Sequence, residues 1–152
     1  MVTCYNFSAL PNKNKLFSCF FMIPKLVYLI SCFYGCTAII LGALGAHWLK
    51  LRIDSLQLES FKTGVLYQIF HAILLFVLAF QAEKLAGNLY NSAVFLLIVG
   101  VFFFSVSIYF LSIKDLFGIT NYRWLGIITP IGGIMLITGW FLLAFLFRKI
   151  SS

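Results

Sequence analysis

The sequence predicts an all-α membrane protein, with four transmembrane helices in an antiparallel bundle joined by short loops. Three observations carry that prediction. Of 152 residues, 62% are hydrophobic and only 10% are charged, whereas soluble domains are about 25% charged. The charged residues gather in short clusters, and the runs between them are long enough, at about 1.5 Å per residue, to cross a hydrocarbon core of about 30 Å. These runs lie at 26–49, 63–82, 92–113 and 124–147.

The start of the chain differs from the rest. Asn6, Asn12, Lys13, Asn14 and Lys15 alternate with aromatic residues and with Pro11 and Pro24. The apolar patch at 16–23 is too short to span a bilayer and has no small-residue cleavage site behind it. Residues 1–24 therefore read as an N-terminal tail, with Met22 an alternative start, and residues 25–149 as a single transmembrane domain.

In the first run, Ser31, Gly35, Ala38, Gly42 and Gly45 fall alternately four and three apart. They share one helix face, on which a second backbone can approach closely. His47 stands near the end of this helix. Lys50, Arg52, Asp54, Glu59 and Lys62 follow, interleaved with Leu49, Ile53 and Leu56 at helical spacing. This pattern suits either a short amphipathic segment at the interface or a solvated connector.

The second run places Tyr67 and His71 four apart on one face, with Gln68 three residues before His71. The third is apolar except for Ser105, Ser107 and Tyr109 towards its end, and a turn-rich loop with Lys114, Asp115, Gly118, Asn121 and Arg123 follows it. The fourth carries Thr129-Pro130-Ile131-Gly132-Gly133 and then Gly139-Trp140. Proline has no amide hydrogen and frees the carbonyl of Gly126, a defect that a membrane helix tolerates only when repaired; Thr129 is the expected repair.

The net charge is +7, from 11 Lys and Arg against 4 Asp and Glu. The positive residues are scattered between apolar runs and form no stripe, so they read as membrane-flanking charges and not as a nucleic-acid surface. They leave orientation open. Lys13, Lys15, Lys25, Lys84, Arg148 and Lys149 on the side of the termini balance Lys50, Arg52, Lys62, Lys114 and Arg123 opposite. Cys4, Cys19, Cys32 and Cys36 follow no disulfide or zinc spacing and read as small apolar residues.

Polar side chains inside such helices are costly unless partnered, which makes His47, Tyr67, Gln68, His71, Ser105, Ser107, Tyr109 and Thr129 the candidate site. By default they form a structural hydrogen-bond network between helices. One alternative is a channel or transporter component for a small solute or protons, although no acidic residue lies within the spanning runs. Another is a packing partner of a second membrane protein or of a second copy, through close faces at Gly35, Gly42, Gly45, Gly132, Gly133 and Gly139.

No metal and no cofactor are expected, because His47 lies one turn from its helix end while His71 lies about 12 Å into the second run. Nor is an enzyme expected: no carboxylate is placed to orient a histidine beside Ser105 or Ser107, and no oxyanion motif occurs.

Four segments together resemble a known family. They are Gly42-Ala43-Leu44-Gly45-Ala46-His47, then Tyr67-Gln68-Ile69-Phe70-His71-Ala72, then Phe104-Ser105-Val106-Ser107-Ile108-Tyr109, and last Thr129-Pro130-Ile131-Gly132-Gly133 with Gly139-Trp140. One per helix and in this order, they look like the signatures of the YgdD-like membrane proteins, domain-of-unknown-function family 423. The resemblance implies a small four-helix, multi-pass protein of the bacterial inner membrane, and brings no activity with it. Trp48 and Val106 depart from the family pattern, which has glycine at both places.

Overall fold

The computed structural model describes residues 24–85, 87–118 and 123–151. The expected tail lies outside the described residues apart from Pro24. Four long helices make up the structure: α1 (Pro24–His47), α2 (Ser55–Phe80), α3 (Asn88–Ile113) and α4 (Arg123–Ser151). All 4 are long and apolar enough to cross a membrane.

The connection between α1 and α2 is much shorter than its charges suggest. After His47 the chain makes a 3-10 turn, Leu49–Leu51, and α2 begins at Ser55, not near residue 63. Asp54 explains the early start: its carboxylate accepts the Gln57 amide at 2.8 Å and so caps the helix. Glu59 and Lys62, read in sequence as connector, instead pair with each other at 2.6 Å on the exposed first turns of α2. The amphipathic spacing is kept only in part, since Leu49 is buried while Leu56 is exposed.

A one-turn helix, Ala82–Leu85, links α2 to α3, which begins at Asn88. After α3 the 3-10 turn Lys114–Phe117 ends at Gly118, whose φ of 62° is a left-handed conformation that glycine adopts without strain. Helix α4 continues through Pro130.

Contacts between helices follow chain order. Helix α1 packs on α2, α2 on α3, and α3 on α4. Each neighbour is antiparallel, because residue numbers rise on one helix as they fall on the next: Gly42 faces Val65 while Gly45 faces Phe61, and Gly100 faces Leu136 while Leu97 faces Gly139. The main core is built on Leu75, Leu78, Tyr90, Val94, Leu97 and Val101, with Val27 and Tyr34 from α1 and Leu136 from α4. A smaller cluster of Leu49, Leu58, Phe61 and Tyr109 closes the end at the α1–α2 connection.

These helices are apolar on all sides, so hydrophobicity alone does not choose the inward face. Small and polar residues choose it. Phe33, Ile40, Phe70, Phe80, Ile134 and Phe145 remain exposed, as a lipid-covered surface requires. Cys32 and Cys36 are free and exposed on this surface.

Candidate functional site

The tightest helix crossing is set by Gly132, where a Cβ would stand 2.5 Å from the backbone nitrogen of Phe104 and 3.0 Å from the carbonyl oxygen of Gly100. No side chain fits there. A Cβ on Gly139 would come within 2.9 Å of Leu97, and one on Gly45 within 3.2 Å of Phe61. Gly42 and Gly133 make ordinary contacts at 3.5 and 3.8 Å. Gly35 corrects the expected stripe, since a Cβ there meets nothing within 4 Å. The buried seam of α1 runs instead through Val27, Ser31, Tyr34, Ala38 and Gly45.

The polar side chains separate into three groups. In the first, Gln68 joins three helices: its amide nitrogen donates to the Tyr34 carbonyl at 2.9 Å and to Thr37 Oγ1 at 2.6 Å, and its Oε1 accepts from the Tyr109 hydroxyl at 2.7 Å. Nearby, Ser105 donates to the Gly64 carbonyl at 3.0 Å. Tyr34 itself reaches across to the Ile98 carbonyl at 2.9 Å.

The second group lies between α3 and α4. Ser107 Oγ is 2.7 Å from Thr129 Oγ1 and 3.0 Å from the Phe104 carbonyl. Thr129 donates to the Leu125 carbonyl at 3.3 Å. The expected repair of Gly126 by Thr129 is therefore not what the hydroxyl does. It stitches α4 to α3 instead.

The third group pairs α2 with α4. His71 Nδ1 lies 2.8 Å from the Tyr67 carbonyl, and Trp140 Nε1 donates to His71 Nε2 at 3.3 Å. A carbonyl only accepts and an indole N–H only donates, so these partners assign the neutral tautomer with its proton on Nδ1. Both ring nitrogens are then engaged. Tyr67 stacks near His71, with centroids 6.1 Å apart, and packs on Phe104 at 4.6 Å.

His47 joins none of these groups. It is exposed at the end of α1, without a hydrogen bond among the described residues, whereas His71 lies about 24 Å along α2 from Ser55 at 1.5 Å per residue. The early start of α2 doubles the distance of His71 from its helix end, while its place about 12 Å into the charge-free run is unchanged. Among the described residues, no three His, Cys, Asp or Glu side chains converge.

Beside the third group, an open groove of about 520 Å³ runs between α2 and α4 over Phe104 of α3, and its wall includes Tyr67, His71, Gly133, Ile137, Trp140 and Phe141. Sequence reasoning missed Tyr34, Thr37, Gly64, Gly100 and Tyr90, whose hydroxyl donates to the Leu78 carbonyl of α2 at 2.8 Å, and gave Trp140 no polar role. Gly64, one turn before Gln68, was the readable signal for a close approach on that face.

Four antiparallel spans stitched by hydrogen bonds from side chains to neighbouring helices define a small multi-pass helical membrane protein. The model of the family described as "Protein of unknown function (DUF423)" matches residues 41–133. The chain is 38% identical over 120 residues to the UPF0382 membrane protein YwdK of Bacillus subtilis, covering 78% of this chain and 93% of the relative. It is 32% identical over 128 residues to the UPF0382 membrane protein SERP0230 of Staphylococcus epidermidis, covering 84% and 99%. To the UPF0382 inner membrane protein YgdD of Escherichia coli K12 it is 30% identical over 123 residues, covering 80% and 88%. The chain belongs to the DUF423 family, and is a multi-pass protein of the bacterial inner membrane. No solved structure matches it.

Proposed function

We propose that this protein is neither an enzyme nor a conduit but an intramembrane binding protein, which offers the groove between α2 and α4 to a membrane-resident partner. One observation carries the reading. Among the described residues the buried polar side chains, Ser112 apart, are partnered in separate local groups, while the open space lies on the outer, lipid-covered face. A proton or solute path needs a continuous line of exchangeable or hydrated groups across the bilayer. Here the hydroxyls and the amide turn to backbone carbonyls and to one another, and Ser112 Oγ is the one buried side-chain polar atom without a partner among the described residues.

Two measurements test this. Proteoliposomes holding the protein should pass protons and small ions no faster than empty ones. A photo-crosslinking residue at Ile137, on the groove wall, should give discrete adducts in native membranes, while one at Ile40, exposed on α1, gives only bulk lipid. Protein-dependent flux, or identical adduct patterns at the two positions, would overturn the reading.

A further inference from the structure

Where α1 ends, Leu44, Trp48 and Arg52 follow one another four apart. Leu44 and Trp48 are exposed, and the guanidinium of Arg52 lies 4.1 Å above the Trp48 ring. None of the three borders the groove between α2 and α4. The charge-free run of α1 stops at Leu49, so the indole stands at the membrane boundary, the depth that tryptophan favours, with the guanidinium just outside it. Stacking holds that guanidinium by its face and leaves its N–H edges for another partner.

The protein supplies none among the described residues. Three carboxylates stand at this end of the bundle, and each is already engaged. Asp54 accepts the Gln57 amide at 2.8 Å, Glu59 pairs with Lys62 at 2.6 Å, and Asp115 accepts from the Gln57 side chain. Lys50, two residues before Arg52 and also exposed, has no ion pair among the described residues either. Two cations therefore stand uncompensated beside an exposed indole.

We propose that Arg52 and Lys50 bind the phosphate of an anionic phospholipid, whose glycerol lies over Trp48 and whose acyl chain runs down α1 past Leu44. The planar guanidinium edge suits phosphate oxygens, and the lysine adds a second charge. A zwitterionic lipid matches less well. Its phosphate meets the same two cations, but its own cation finds no free carboxylate. Free phosphate gains nothing from Trp48 and Leu44, and an acidic protein segment at Arg52 would leave Leu44, one turn inside the boundary, to lipid as before.

The test uses the full chain in lipid nanodiscs with Trp124→Phe and Trp140→Phe, which leaves Trp48 as the reporter among the 3 tryptophans. Phosphatidylglycerol brominated on its acyl chains should quench Trp48 at a mole fraction about tenfold lower than brominated phosphatidylcholine needs. Arg52→Gln should cut that preference about fivefold, and Arg52→Gln with Lys50→Gln should abolish it. Lys62→Gln, which removes a charge from the same end but from a residue already paired with Glu59, should leave it unchanged. Excess inorganic phosphate at constant ionic strength should not displace the lipid. Equal quenching by the two lipids, or a preference that survives the double substitution, would overturn the proposal. A loss as large from Lys62→Gln would replace the site by a diffuse positive field, and displacement by phosphate would replace the lipid by a free anion. The parent chain, with its tryptophans intact, gives a second readout. Released from mixed nanodiscs into a mass spectrometer, it should retain phosphatidylglycerol over phosphatidylcholine, and retention of both alike would again overturn the assignment.

Discussion

Tyr109 donates its hydroxyl proton to Gln68 at 2.7 Å, and the same ring lies so close over Gly64 that a Cβ there would stand 2.8 Å from its Cε1. The two facts depend on each other. Gly64 admits the ring, and Gln68, one turn further along α2, fixes it in place. Because Gln68 also holds Tyr34 and Thr37 of α1, one amide side chain sets the spacing of three helices.

Replacing Gln68 by leucine should therefore destabilise the protein by about 2 kcal/mol, from three interhelical bonds at roughly 0.6 kcal/mol each in membrane proteins. Tyr109→Phe alone should cost about 1 kcal/mol. In the double variant the losses should overlap, because the bond between the two residues is removed by either change. Reversible unfolding in mixed micelles measures this, and strict additivity would refute it.

Gly132→Ala should be severely destabilising, by about 3 kcal/mol or more, since the new methyl meets the Phe104 backbone and no side-chain rotation relieves it. Gly35→Ala should be neutral or stabilising by up to about 1 kcal/mol, because space is open there and alanine favours a helix. Thermal unfolding of the two variants side by side checks the contrast. Equal effects would sink it.

Loss of the cap at Asp54 should fray the start of α2. Asp54→Ala should cost about 1 kcal/mol, and Asp54→Asn much less, since asparagine also caps. Amide exchange should quicken at Gln57 and Leu58 in the alanine variant and stay slow deep in the helix.

Nitrogen NMR of the His71 ring should report the tautomer protonated on Nδ1, with Nε2 accepting. Trp140→Phe removes the indole donor and should shift the Nε2 resonance with little effect on Nδ1. A ring protonated on Nε2 in the parent protein would contradict the assignment.

Much of the fold was legible because long charge-free runs announce spans by length and composition alone. The start of α2 was not, since Glu59 and Lys62 mark the membrane boundary and say nothing about where the helix ends; a solvated helical extension and a loop have the same polarity. The polar residues were readable as costly but not as groups, because a helix that is apolar all round carries no periodicity from which to fix its rotation. Tyr34 and Trp140 illustrate the gap. Each looks like one more lipid-facing aromatic until the carbonyl of Ile98 or the imidazole of His71 is found opposite.

The order of packing, each helix chiefly against the one before it, bears on how the protein is made. A span leaving the translocon finds its main partner already in the bilayer, so assembly can proceed hairpin by hairpin during synthesis without waiting for distant segments to meet. The Gly132 crossing, which admits no side chain, is then the last joint to close, and a defect there should leave α1 to α3 assembled and α4 loose for the cell's membrane proteases.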